Sequence, residues 1–265
     1  MDYRHPMDAP TPRTNRTTDP VIFAISLAGF VLAWWGLALL KGDPRILPAP
    51  FEVLNVMMAE AVSGPLLHHV AATLVRVALA FVLAMSLGSA LGLLLGRYTR
   101  ADRWADPWVI IFLNLPALVV IVLCYLWIGL NEVAAVVAVT VNKTAMVLVT
   151  VREGARTLDR GLADMAQVYR LSPMTRLRHI VVPQLAPYLA SSARNGLAVI
   201  WKIVLVVEFL GRSDGVGFQL HLKFQLFDIP GVMAYALAFV GVMLAIDYGL
   251  IQPVERRAAR WRQRG

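Results

Sequence analysis

Six apolar runs, separated by short polar stretches, set the pattern of this chain: residues 21–40, 71–96, 107–130, 133–151, 185–210 and 229–251. A helix needs roughly 20 apolar residues to cross a bilayer's hydrocarbon core, where its backbone bonds itself. The pattern therefore predicts an all-α membrane protein, a six-helix bundle over residues 21–252 with a polar tail at 1–20 and a basic tail at 253–265. No short apolar stretch with a cleavage site precedes the first run, so no secretory signal is expected and that run stays in the mature chain. Trp34 and Trp35 stand toward its far end as interface anchors. Only Asn131 and Glu132 separate the third and fourth runs, which predicts an antiparallel hairpin.

Composition agrees with the pattern. The residues are 58% hydrophobic and mean hydropathy is +0.63, above the roughly 45–50% apolar content of a soluble domain. A net charge of +8 would suit nucleic acid, but the arginines fall between apolar runs, so no nucleic-acid partner is expected. Sidedness explains them better. With the N-terminus inside, the cytoplasm receives Arg4, Arg13, Arg16, Arg97, Arg100, Arg103, the six arginines of 152–183 and the five of the basic tail. The other side receives only Lys41, Arg45, Arg212 and Lys223. Both termini are thus expected to be cytoplasmic. Within the second run Ala80, Ala84, Gly88, Gly92 and Gly96 make a small-residue stripe that admits a neighbouring helix, more readily within one subunit than between two. Phe51, Leu54, Met58 and Ala61 share a helical face suited to the outer membrane surface. The single cysteine, Cys124, sits mid-run as a packing residue.

The polar stretch 152–183 carries its own periodicity. Leu158, Leu162, Met165 and Tyr169 mark one helix with an apolar stripe. Ser172-Pro173 then offers an N-cap with proline at the first helical position, and Met174, Leu177 and Val181 continue a second helix. Two helices meeting near Arg170 and Leu171 are expected, with Pro183 and Pro187 breaking the pattern before the fifth run.

These residues resemble the cytoplasmic signature of type I ABC importer permeases, E-A-A, three residues, G, nine residues, I-x-L-P. Asp164-Met165-Ala166 stands for E-A-A, Arg170 for the glycine and Ile180-Val181-Val182-Pro183 for I-x-L-P, with the spacing complete. Arg170 is the largest departure. Glycine at a helix-ending turn supplies positive φ freely, whereas arginine costs about 1 kcal/mol or requires another turn. The resemblance covers residues 45–262. Leu47-Pro48-Ala49-Pro50, His69, Thr73 to Arg76, Asn114-Leu115-Pro116, Gly211 and Gly215-Val216-Gly217 look like the nitrate, sulfonate and taurine branch. The resemblance implies a six-transmembrane-helix permease in a bacterial inner membrane, with a cytoplasmic coupling helix docked in an ABC ATPase. Asp164, Met165, Ala166, Tyr169, Arg170, Leu171, Ser172, Ile180 and Pro183 are the implied coupling residues. It further implies two ATPase subunits that bind ATP and Mg, a periplasmic or lipid-anchored solute-binding protein, and a second permease copy, with a non-identical permease as the alternative.

The chain has no G-x-x-x-x-G-K-[ST] phosphate loop, no metal-ligand spacing and no nucleophile motif, so it is read as a transport component and not an enzyme, binding no cofactor itself. Gly211 to Gly217 reads as a flexible loop. Arg156, Arg160, Arg170, Arg176 and Arg178 are expected in solvent or beside anionic lipid headgroups, with ATPase carboxylates as the alternative. Charges inside spans are functional candidates. Lys143, beside Asn142, is the sharpest. It either lines a pathway for a small anion or pairs with Glu208 or Asp247. Lys202 is a weaker pathway candidate, Arg194 a snorkelling residue, and Asn114 beside Pro116 marks a helix break where backbone could line a cavity. Glu208 and Asp247 read as solvated or paired. The alternative function is an ion-gradient-driven secondary transporter or channel, which would usually show paired broken helices.

Overall fold

The computed structural model describes residues 20–251; the basic tail and all but Pro20 of the polar N-terminal tail lie outside them. Every regular element among these residues is helical. In order they are α1 (Pro20–Lys41), α2 (Pro50–Val62), α3 (Leu66–Arg97), α4 (Thr99–Asn114), α5 (Ala117–Ile128), α6 (Glu132–Arg156), α7 (Arg160–Val168) and α8 (Pro173–Arg176). A π-helical turn, Leu177–Val181, leads into α9 (Val182–Gly211), followed by α10 (Val216–Gln225) and α11 (Ile229–Ile246). Among the described residues four helices, α1, α3, α6 and α11 with its extension, are long and apolar enough to cross a membrane, or five if the bent pair α4 and α5 is one span.

Helix α6 is the centre of the bundle, packed between α3, α9 and α5. The small-residue stripe of α3 explains the closest of these contacts. Ala80 and Ala84 are fully buried. A Cβ on Gly88 would fall 2.6 Å from Val147 Cβ, one on Gly92 2.6 Å from the Leu148 carbonyl oxygen, and one on Gly96 2.5 Å from Ala155 Cβ. The stripe therefore serves packing within one chain, as expected. Cys124 joins Ile121, Ala135, Val139, Ile200, Val204 and Tyr235 in the apolar core. Around α2, Val53 is buried while Phe51, Leu54 and Met58 face outward.

One local expectation stands and two change. The run 107–130 is divided between α4 and α5, which meet at 98°. The turn lies at Leu115-Pro116, beside the predicted break, and Asn114 Nδ2 donates to the Ile110 carbonyl at 2.8 Å to finish α4. Pro183 and Pro187 do not break their helix. Both lie inside α9: Pro183 falls in its first turn, directly after the π turn, where a nitrogen without a proton costs little, and Pro187 is carried within the helix. Residues 216–225, expected as loop, form α10.

Candidate functional site

The first helix turn of α10 leaves orphan N–H groups, as every helix does. Three consecutive ones are met by side chains from other helices. Gly215 N–H donates to His69 Nδ1 at 3.0 Å, Val216 N–H to Thr73 Oγ1 at 2.9 Å, and Gly217 N–H to Glu208 Oε2 at 2.9 Å. His69 and Thr73 stand one turn apart on α3, so the acceptors match the donors in register. With Nδ1 accepting, a neutral His69 carries its proton on Nε2. Gln219 Nε2 lies 2.7 Å from that nitrogen, and turning the amide over brings its oxygen there to accept the His69 proton. Gly215 sits at φ 104°, a conformation glycine adopts freely. The expected flexible loop is therefore a pinned one.

Arg76, one turn beyond Thr73, completes the cluster. It is 4% exposed and Glu208 is fully buried. Its five N–H donors are all used. Nε meets Glu132 Oε2 at 2.8 Å and Nη2 meets Glu132 Oε1 at 2.5 Å. Nη1 meets Glu208 Oε1 at 2.7 Å and the Asp214 carbonyl at 3.0 Å, and the remaining Nη2 proton points to the Asp214 carboxylate. Glu208 accepts from Arg76 and Gly217 and lies 2.9 Å from the Thr73 hydroxyl, so both of its oxygens are engaged. Arg212 closes the rim with a 2.7 Å bond to Glu132. One guanidinium thus ties α3, α6, α9 and the α10 loop. Isolated charges in a low-dielectric interior are costly, and saturation with paired hydrogen bonds is what makes this one tolerable. Sequence reasoning missed the cluster. Arg76 stands near the start of one apolar run and Glu208 near the end of another, and nothing local links the two.

Across the bundle, α7 ends in a Schellman turn: Leu171 N–H donates to the Ala166 carbonyl at 2.9 Å and Arg170 N–H to that of Gln167 at 3.0 Å. Arg170 occupies the left-handed position at φ 50°. The arginine keeps the geometry a glycine would give. Asp159 caps the start of α7 and Ser172 the start of α8. Asp164, Met165, Tyr169, Arg170, Ser172 and Pro183 are exposed, Leu171 is half-buried, and Ala166 and Ile180 are buried. The apolar stripe expected on this helix does not pack inward; Leu162, Met165 and Tyr169 face outward, and only Ala166 anchors the helix. Nearby, Arg152 is buried and bonds Asp102 at 2.9 Å and Asp106 at 2.8 Å. Arg156, expected in solvent or against a partner's carboxylates, bonds Glu153 at 2.8 Å and also Asp102.

The intramembrane candidates separate. Lys143 is buried on α6, with Nζ 3.9 Å from Met146 Sδ and no described carboxylate at salt-bridge distance. Its pairing with Glu208 does not form, because that carboxylate is engaged by Arg76. Asn142 is half-buried. Lys202 lies exposed on α9, and Asn114 and Pro116 are exposed at the α4–α5 bend. Neither is brought against Lys143 by a hydrogen bond among the described residues.

The model of the family described as binding-protein-dependent transport system inner membrane component matches residues 84–257. The chain is 27% identical to a probable ABC transporter permease protein of Brucella abortus, over 91% of this chain and 94% of that one. It is 29% identical to the putative aliphatic sulfonates transport permease protein SsuC of Escherichia coli, covering 87% and 88%. It is 24% identical to the taurine transport system permease protein TauC of the same organism, covering 89% and 88%. The fold is similar to that in the crystal structure of an amino acid ABC transporter with histidines, with a TM-score of 0.60, 20% identity, and 76% of this chain and 98% of that chain covered.

Proposed function

Because the chain belongs to the family of binding-protein-dependent transport system inner membrane components, we propose that it forms the translocation pathway of an ATP-driven importer for a small anionic solute of the sulfonate or taurine class. The observation that carries the solute class is similarity over most of their lengths to permeases named for aliphatic sulfonates and taurine. Both termini and the α7–α8 turn are on the cytoplasmic side in this reading, supported by the arginine bias. Six spans result when α4–α5 and α9 each count as one.

In this reading the exposed knuckle of Asp164, Met165, Tyr169, Arg170, Leu171 and Ser172 docks against an ATPase subunit, with Ala166, Ile180 and Pro183 holding its base. Two such ATPases bind ATP and Mg, two copies of this chain surround the pathway, and a binding protein delivers solute on the far side. The Schellman turn supports this role, since a rigid end transmits displacement where a floppy one absorbs it. Lys143 with Asn142, Lys202, and the bend at Asn114 and Pro116 are the candidate pathway groups.

The test is uptake by proteoliposomes containing the chain, its ATPase subunits and its binding protein, assayed with taurine and short alkyl sulfonates. ATP-dependent uptake abolished by Met165→Glu with Tyr169→Glu in the knuckle supports the proposal. Uptake at full rate without the ATPase, driven by an ion gradient, overturns it in favour of a secondary transporter.

A further inference from the structure

Helix α4 sorts its charges by face. On a helical wheel Asp102, Asp106 and Val109 fall within about 60° of one another, and Arg100, Arg103, Trp104 and Trp108 lie toward the opposite side. The inward face is tied down: Asp102 bonds Arg152 at 2.9 Å and also Arg156, and Asp106 bonds Arg152 at 2.8 Å. The outward face is exposed. Arg100 and Arg103 on it, and Arg97 at the end of α3, have no salt-bridge partner among the described residues. Residues 97–106 carry three arginines and two aspartates. Because α6 supplies counter-ions to both aspartates, the outward surface shows the positive charges without the negative ones.

The same face changes chemistry in order along the helix axis. Arg100 and Arg103 come first, Trp104 and Trp108 next, and Ile111 last. From Arg100 to Ile111 the rise is ~16 Å, and the order is the one met on passing from lipid phosphate through the glycerol region into hydrocarbon. Trp104 is 84% and Trp108 64% exposed, and neither indole N–H has an acceptor among the described residues. An indole placed at a membrane interface keeps its ring in the apolar layer and its N–H at the wet edge. An acidic protein surface would match the arginines but not the aromatic and aliphatic continuation.

We propose that the corner of α3 and α4 binds the headgroup of an anionic phospholipid, with Arg97, Arg100 and Arg103 holding the phosphate and Trp104 and Trp108 setting its depth. The site goes beyond the importer reading and takes from it only the cytoplasmic placement of the corner. Its inward side leads toward the knuckle, since Arg152 and Arg156 stand at the end of α6 and α7 begins at Arg160. A bound headgroup therefore steadies the base from which the knuckle projects.

The test titrates the full-length chain in detergent with phosphatidylglycerol and phosphatidylcholine of equal acyl length, and reads bound lipid by native mass spectrometry. Wild type should prefer phosphatidylglycerol by at least about tenfold. Each of Arg97→Gln, Arg100→Gln and Arg103→Gln should weaken phosphatidylglycerol about fivefold, and the three together should bind the two lipids alike. Arg97→Lys with Arg100→Lys and Arg103→Lys should keep the preference, which separates loss of charge from loss of fold. Arg160→Gln with Arg176→Gln and Arg178→Gln removes as much charge elsewhere and should also keep it. A preference lost equally in that control shows diffuse attraction and overturns the site. A preference unchanged by the three glutamines at 97, 100 and 103 overturns it too, and if those glutamines instead prevent co-purification with the ATPase, the corner belongs to that partner. The lipid readout needs neither ATP nor solute, so failed uptake bears on the importer reading alone.

Discussion

Replacing Glu208 by glutamine changes one atom and should unsettle the whole α10 end of the bundle. Glu208 Oε1 accepts from Arg76, and Oε2 accepts from Gly217 and lies 2.9 Å from the Thr73 hydroxyl. A glutamine amide must turn its N–H₂ toward one of these sides, so donors face donors whichever way it flips. Breaking a buried ion pair from one side costs about 3–5 kcal/mol. For a chain of this length each kcal/mol lowers the melting temperature by roughly 2–4 °C, so Glu208→Gln should lose roughly 6–20 °C. Glu132→Gln is the control. Its side chain also pairs with Arg76 but is 51% exposed, and an exposed ion pair contributes about 1 kcal/mol or less. Thermal denaturation of the detergent-solubilised protein, followed by the fraction remaining monodisperse after heating, compares the two. Equal losses, or a larger loss for Glu132→Gln, would refute the assignment of Glu208 as the buried centre of the cluster.

Arg76→Lys keeps the charge but offers three donors where five are used, and should destabilise almost as much as Arg76→Met in the same melting assay. At Arg170, relief of the left-handed strain, about 1–2 kcal/mol, is offset by about 0.4–1 kcal/mol of added unfolded-state entropy. Melting temperatures should thus fall in the order Arg170→Gly at or above wild type, wild type above Arg170→Val. Gly92→Val should collapse the α3–α6 contact and the yield of folded protein, because even a Cβ there lies 2.6 Å from backbone oxygen. Lys223 bonds Glu60 at 3.3 Å and Asp228 at 3.1 Å. Burial alone would lower its pKa, but the two carboxylates hold it above the ordinary 10.5. A raised pKa stabilises the fold below the unfolded value and ceases to as pH rises through the folded one. Lys223→Met should therefore lose the same stability at pH 7 and pH 9, with the gap to wild type closing only above about 10.5.

What the sequence revealed depended on period. The small-residue stripe at every fourth position of α3 and the Ser172-Pro173 cap state their geometry locally, and both stand as read. Helix α10 hides its character, since Val216 to Gln225 alternates apolar and polar residues with period two, and its helical form comes from His69, Thr73 and Glu208 holding its first turn. Arg170 could be placed by spacing, but its left-handed backbone is set by the two carbonyls that receive the turn's hydrogen bonds. Lys143 and Lys202 look alike in a hydropathy pattern; which side of a helix is walled in by neighbours separates them. Long-range pairings such as Arg76 with Glu208 leave no local trace at all.

That last separation has a consequence for biosynthesis. Arg76 precedes Glu132 by 56 residues and Glu208 by 132. At a translation rate of about 5–20 residues per second, the guanidinium waits roughly 7–26 s for its innermost counter-ion to be made. During that interval the nascent α3 segment carries an arginine that hydrocarbon disfavours by about 2.5–3.5 kcal/mol at mid-depth. The hairpin of α5 and α6 brings Glu132 first, so the ribosome delivers one partner, which the finished fold keeps, well before the buried one at Glu208.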